Sequence, residues 1–206
     1  MTRKIFEVSV SIIVSLFLVK SLLAAGPGAL KNFSADLVTT TSKGTFTSKI
    51  FSKDGRQRIE HSARGREMVT IVRPDKKVVW MLMPDKKYME MPFDSRNQDI
   101  SSQLHDPAIK TDKEFLGNDT VDNHPAKEYH ITIIRDGRKE TSGFLWEASD
   151  LNNFPVKQQN EDKTVTMVWK NIKFDDATDS LFEIPAGYKK MEMPMKGMYN
   201  PAMQGR

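Results

Sequence analysis

Three methionines near the carboxyl end, Met191, Met193 and Met195, come nearest to a metal site by residue type and spacing. Thioethers are soft ligands that suit Cu(I), and Met-x-Met spacing lets two sulfurs reach one ion. The surrounding stretch, Tyr188–Arg206, is rich in Met, Pro, Gly and Lys and almost free of branched aliphatics, so it reads more readily as a flexible tail. Other chemistry is sparse. The four histidines, His61, His105, His124 and His130, are scattered, with no helical i, i+4 pair. His130 lies inside a strand-like run and reads as a sheet residue rather than a base. Asp175, Asp176 and Asp179 sit in one short acidic stretch and read as a solvated cap. No glycine-rich phosphate loop and no nucleophile elbow occurs. The pattern points away from an enzyme and asks for no cofactor.

A set of bulky apolar residues offers binding rather than catalysis: Trp80, Met89, Tyr129, Ile131, Ile133, Phe144, Trp146, Val165, Met167 and Trp169. Each falls in a run with strand character, and the set could share one sheet face. Such a face is either a packed core or the lining of a cavity for an acyl chain, which a curved sheet of this size can enclose. Flexible methionines, here Met81, Met83, Met89 and Met91, adapt to varied apolar ligands.

The elements that would position these residues are strands. Glu67–Pro92 holds the same turn twice, Pro74-Asp75-Lys76-Lys77 and Pro84-Asp85-Lys86-Lys87, between apolar runs. Proline presets φ for a turn and Asp follows well, so a three-strand meander is expected: Met68–Arg73, Val78–Met83 and Tyr88–Met91. Alternation places strands at Phe33–Thr41, Thr45–Lys53 and Arg56–Ala63, the last two joined at Asp54-Gly55. Phe93–Lys113 breaks the pattern and is read as a short helix, Arg96–Leu104, with a loop. Strands resume at Lys113–Leu116, turn at Gly117-Asn118-Asp119, and continue as Ala126–Arg135, Lys139–Ala148, Val156–Gln159 and Thr164–Phe174. Asp175–Leu181 reads as a helical turn. The fold class is mainly β: a strongly curved antiparallel sheet or unclosed barrel with one or two short covering helices.

Composition bounds the compartment. A basic start, an apolar run from Ile5 to Leu23 and the small residues Ala24-Ala25-Gly26 have the form of a secretory signal peptide over residues 1–25. One domain, 26–187, would follow, then the tail. The formal net charge is +4, of which Arg3, Lys4 and Lys20 against Glu7 supply +2. The remaining charges alternate in sign, which disfavours a nucleic-acid surface. There is no cysteine, hence no disulfide frame and no thiol for lipid attachment. A periplasmic monomer is expected.

The run Val69–Met91, the later His124-Pro-Ala-Lys-Glu-Tyr and the closing Leu181-Phe-Glu-Ile-Pro-Ala-Gly-Tyr resemble a bacterial domain family of unknown function placed in the LolA/LolB-like superfamily of periplasmic lipoprotein carriers. The resemblance covers roughly Phe33 to Met191. It implies an unclosed barrel whose apolar cavity takes a lipid or lipoprotein acyl chain. It further implies an arginine on an early strand that holds a lid, for which Arg58 is the nearest match. Gly26–Asn32 is too short for the helix that opens such carriers. Other implied partners are envelope proteins, and the competing reading is Cu(I) handling through the tail.

Overall fold

The computed structural model describes residues 32–63, 66–93, 109–135, 137–175 and 177–191. These form twelve strands: β1 (Phe33–Thr41), β2 (Gly44–Lys53), β3 (Arg56–Ala63), β4 (Arg66–Arg73), β5 (Val78–Met83), β6 (Lys87–Pro92), β7 (Ile109–Val121), β8 (His124–Arg135), β9 (Arg138–Ala148), β10 (Phe154–Asn160), β11 (Thr166–Lys173) and β12 (Lys189–Lys190). All belong to one curved sheet, ordered β12-β6-β5-β4-β3-β2-β1-β11-β10-β9-β8-β7, that does not close into a barrel. Two meanders thus run outward in opposite directions from a central seam where β1 pairs with β11.

Turn chemistry explains the meander. After β4, Pro74–Lys76 forms a 3-10 turn, and Lys77 (φ 56°) closes it in the left-handed region, its N–H donating to the Pro74 carbonyl at 3.1 Å. The second copy of the motif places Lys86 at φ 54°. Between β7 and β8, Asp122 (φ 47°) and Asn123 (φ 68°) turn the chain in two residues, the positive-φ pair that matches strand twist.

Two expectations change here. Residues 109–113, read as loop at the end of the Phe93–Lys113 insert, already belong to β7. Gly117-Asn118-Asp119, read as a turn, also lies within β7; the register shifts between Phe115 and Gly117, so the glycine marks a bulge. The proposed helix Arg96–Leu104 and the segment 1–25 lie outside the described residues. Among the described residues the helical elements are three 3-10 turns, one of which, Asp179–Phe182, covers a sheet face.

The register sorts every side chain onto one of two faces. Leu37, Ile50, Ile59, Thr70, Met81 and Met89 share the first with Trp169 and Met167. Arg58, Ile71, Trp80 and Glu90 share the second. Each face carries a core. The larger gathers Phe33, Leu37, Ile50, Ile59, Phe154, Val156, Met167 and Trp169; Phe33 and Phe154 meet edge to face at 5.0 Å. The smaller gathers Ile71, Trp80, Leu82, Ala177 and Phe182.

Candidate functional site

On the Trp80 face, the chain from Ala177 to Tyr188 returns across the first meander as a strap. Phe182, fully buried, plugs it against Ile71, Trp80 and Leu82. Cationic side chains from the strands beneath then take up its carbonyls. Lys53 Nζ donates to the Ala177 oxygen at 3.0 Å, Arg58 Nη1 to that of Leu181 at 3.0 Å, and Arg73 Nη1 to that of Phe182 at 2.9 Å. Arg73 also donates to Glu183 and, through two nitrogens at 2.8 and 2.6 Å, to Asp75. This bidentate contact holds the Asp75 carboxyl down to about 2. Lys76 and Arg73 lower Glu183, and Arg56 and Lys53 lower Asp179. The strap ends as β12, parallel to β6 and bonded from the Lys189 and Met191 N–H groups to the Lys86 and Tyr88 carbonyls at 2.9 and 2.8 Å. It therefore also covers the β6 edge of the sheet, an arrangement that blunts edge pairing.

Sequence reasoning assigned these residues other roles. Arg58 does anchor a covering segment, but that segment is the C-terminal strap. Asp179, read as part of a solvated cap, is the ion-pair partner of Arg56 at 2.8 Å. Arg73, buried and bonded to Phe182, Glu183 and Asp75, has no signal of this role in the sequence, unlike the strap itself. A readable signal did exist: Leu-Phe-Glu-Ile-Pro is an apolar segment too short to be a strand yet carrying a fully buried Phe. The tail begins attached, since Met191 is bonded to the edge. Met193 and Met195 lie outside the described residues.

The ten apolar site residues do not share one face. Met167 and Trp169 sit on the Trp169 face opposite Thr39 and Leu37, and Val165 precedes Met167 by two positions. Phe154, in contact with Phe33 on that face, is opposite Ala148, and Trp146 alternates with Ala148 along β9, so the face runs outward to Trp146 and Phe144. Tyr129, Ile131 and Ile133, opposite Leu145, Gly143 and Thr141, alternate away from it, and Met89 joins it at the other side of the sheet. Trp80 and Arg58 lie on the strapped face, where Trp80 Nε1 donates to Glu90 at 3.0 Å. The misreading has a simple origin. Neighbouring strands were each assigned an apolar face, but periodicity within a strand does not say which way its neighbour is registered.

The Trp169 face has a distinct composition. Five methionines lie on it in the first meander: Met68, Met81, Met83, Met89 and Met91, with Thr70, Val72 and Val79 among them. Met81, Val72 and Val79 are buried, while Met68, Met83, Met89 and Met91 are half-buried. In the second meander Trp146 is buried in the same core and half-buried Phe144 packs against it. Between these flanks, Trp169 is fully buried and its indole N–H has no hydrogen-bond partner. On this face Ser48 Oγ lies 2.8 Å from His61 Nδ1; on the Tyr129 face Lys113 pairs with Glu147 at 2.7 Å and stands 4.0 Å from the Tyr129 ring centroid. Burial lowers the His61 pKa. His130 contacts Glu161 at 2.9 Å and Phe144, as a sheet residue. Among the described residues no group of three His, Asp or Glu is placed to hold a metal ion.

Several known structures align with this chain. LppX, a lipoprotein of Mycobacterium tuberculosis, aligns with a TM-score of 0.50 at 10% identity over 80% of this chain and 97% of its own. MucB aligns at 0.46 and 18% identity over 81% of this chain. The alignment spans 62% of the MucB chain. A Vibrio parahaemolyticus domain assigned to outer-membrane lipoprotein sorting aligns at 0.35 and 10% identity, over 81% of this chain and 95% of its own. No curated protein matches. The open sheet shared with LppX is the LolA/LolB-like fold. Residues 34–155, more than half of the chain, match one family directly, and the chain belongs to it: the domain of unknown function DUF4412.

Proposed function

We propose that this protein is a non-catalytic binding protein of the cell envelope that holds a lipid or acyl chain against the Trp169 face of its open sheet. The observation that carries this reading is the uneven treatment of the two faces. One is sealed by a strap fastened with three cationic side chains. The other presents half-buried methionines in the first meander, beside the core that holds Trp169 and Trp146. Methionine is a poor choice for a uniquely packed core and a good one for an apolar ligand of variable shape. The likeness to LppX supports the fold for this role. The implied location is the periplasm, after removal of residues 1–25.

The test is native mass spectrometry with lipid extraction on protein from a periplasmic preparation, followed by titration with a fluorescent fatty acid. A stoichiometric lipid, and uptake lost in Met89→Asp and Met91→Asp but kept in Lys190→Ala, is expected. An empty protein that takes up no fatty acid refutes the reading, as does undiminished uptake in both acidic variants. A second reading, docking of an envelope protein, draws on Phe115 and Leu116, which are 53% and 47% exposed on β7. In that case Phe115→Glu abolishes capture of the partner while fatty-acid uptake persists.

A further inference from the structure

The open face leaves two buried donors unmatched. Among the described residues, the buried side-chain nitrogens with no hydrogen-bond partner are Nε1 of Trp146 and Nε1 of Trp169. Trp80, on the strapped face, has Glu90 as its acceptor. Buried donors are almost always satisfied, so each exception calls for a reason. Trp146 and Trp169 belong to one core and lie on either side of Val156: Val168 pairs with Lys157, which sets Trp169 beside Val156, and Lys157 also pairs with Trp146. From Pro155 to Lys157 β10 takes two steps, while β9 takes one, from Glu147 to Trp146. Val156 is therefore the extra residue of a bulge, a feature that re-aims neighbouring side chains. Here a cation is brought onto an apolar face: Lys157 Nζ stands 3.8 Å from the Trp146 ring centroid. On the other flank, half-buried Glu128 is directly opposite Trp146. Opposed side chains have Cβ atoms about 5 Å apart. The row across β10, β9 and β8 thus reads cation, indole donor, carboxylate. Neither Lys157 nor Glu128 has an ion-pair partner among the described residues.

We propose that Lys157, the Trp146 indole N–H and Glu128 bind a zwitterionic lipid headgroup, a phosphodiester joined to a primary ammonium. The inference rests on the lipid reading above and adds the polar end of the guest. Phosphate oxygens accept from the Lys157 ammonium and from Trp146 Nε1–H, charge-assisted bonds that outweigh the cation–π contact they replace. The headgroup ammonium donates to Glu128. A purely anionic headgroup satisfies Lys157 but faces the Glu128 carboxylate, and like charges set opposite one another are unfavourable. The charges around the next ring along β9 also balance in sign: Lys163 Nζ stands 5.0 Å from the Phe144 centroid, and Glu161 is bonded to His130 at 2.9 Å. The acyl chain is left against the adjoining apolar core.

The full chain is titrated with three single-chain lipids of one acyl length: lysophosphatidylethanolamine, lysophosphatidylglycerol and the free fatty acid. Affinity is read by calorimetry, and the indole N–H resonances of the three tryptophans by NMR. The ethanolamine lipid is expected to bind roughly tenfold or more tightly than the glycerol lipid, the scale of one hydrogen bond to a charged group. The Trp146 indole resonance should move downfield, while that of Trp80, already bonded to Glu90, stays. Glu128→Gln should erase the preference by weakening the ethanolamine lipid alone. Lys157→Met, which keeps the apolar stem, should weaken both phospholipids to a similar degree. Neither variant removes a packed ring or a paired charge, so both should keep the melting temperature of the parent chain. If none of the three lipids binds, the lipid reading falls and the headgroup site falls with it. Equal binding of all three, or a preference unchanged in Glu128→Gln, overturns the headgroup site alone and leaves the lipid reading standing. So does an unmoved Trp146 resonance with the ethanolamine lipid bound.

Discussion

Replacing Arg73 by methionine should release the strap. The side chain is 5% exposed, and methionine preserves much of its apolar stem while removing the guanidinium. Two losses follow. The Phe182 carbonyl, beside a fully buried ring, loses its donor, and an unsatisfied buried acceptor costs about 2 kcal/mol. The pairs with Asp75 and Glu183 are also lost. Those carboxylates are 51% and 47% exposed, so solvent screening limits their joint contribution to about 1 kcal/mol. The sum is about 3 kcal/mol, a large share of the stability of a domain this size. Urea unfolding should show the loss as a lower midpoint with little change in slope. Hydrogen exchange should show faster exchange at amides from Leu181 to Met191, while amides of β1 and β11 keep their protection. Lys76→Met is the control: Lys76 meets Glu183 on the surface at 2.9 Å, and its removal should cost less than about 1 kcal/mol. A loss below about 1 kcal/mol for Arg73→Met, with unchanged strap exchange, would refute the idea that Arg73 fastens the strap.

The remaining predictions address acid, packing and backbone. Asp75 and Glu183 have lowered pKa values, so their stabilisation is present above the ordinary carboxylate range and is lost on acidification. For Asp75 the loss falls between pH 3.8 and about 2, and thermal melts across that window should flatten in Arg73→Met. Phe182→Ala should cost about 3–5 kcal/mol, because a fully buried ring leaves a cavity between strap and sheet; a calorimetric change under 1 kcal/mol contradicts this. Gly143→Ala should destabilise by about 1–3 kcal/mol, since its new Cβ would meet the Gln159 backbone oxygen at 2.5 Å; neutral unfolding curves would count against it.

Strand positions were legible because each strand announces itself locally. Phe33–Thr41, Arg56–Ala63 and Val78–Met83 lie where alternation places them, and Asp54-Gly55 turns the chain between β2 and β3. What failed to show was whatever depends on partners far away in the chain. The central β1–β11 seam joins Leu37 to Trp169, residues that no local pattern links. The division of Tyr129 from Trp146 and of Met89 from Trp80 also rests on register, which a bulge such as that at Phe115/Gly117 can shift by one position.

Arg58 and Arg73 show why the strap in particular was hidden. In the sequence both are ordinary charges on alternating strands, and the facing Leu-Phe-Glu-Ile-Pro lies more than 100 positions away. Each becomes structural because the strap has no strand partner over Ala177–Phe182, so its carbonyls need donors that a ladder would otherwise supply. Long cationic side chains can reach across a sheet face to provide them, and they bury their stems in doing so. The same requirement explains the asymmetry of the two faces. A face closed by charged hydrogen bonds to backbone is committed to one segment. The Trp169 face carries thioethers and aliphatic groups instead, whose contacts are not directional. That leaves the methionine-bearing face as the one able to accept an apolar guest without leaving polar groups unpaired.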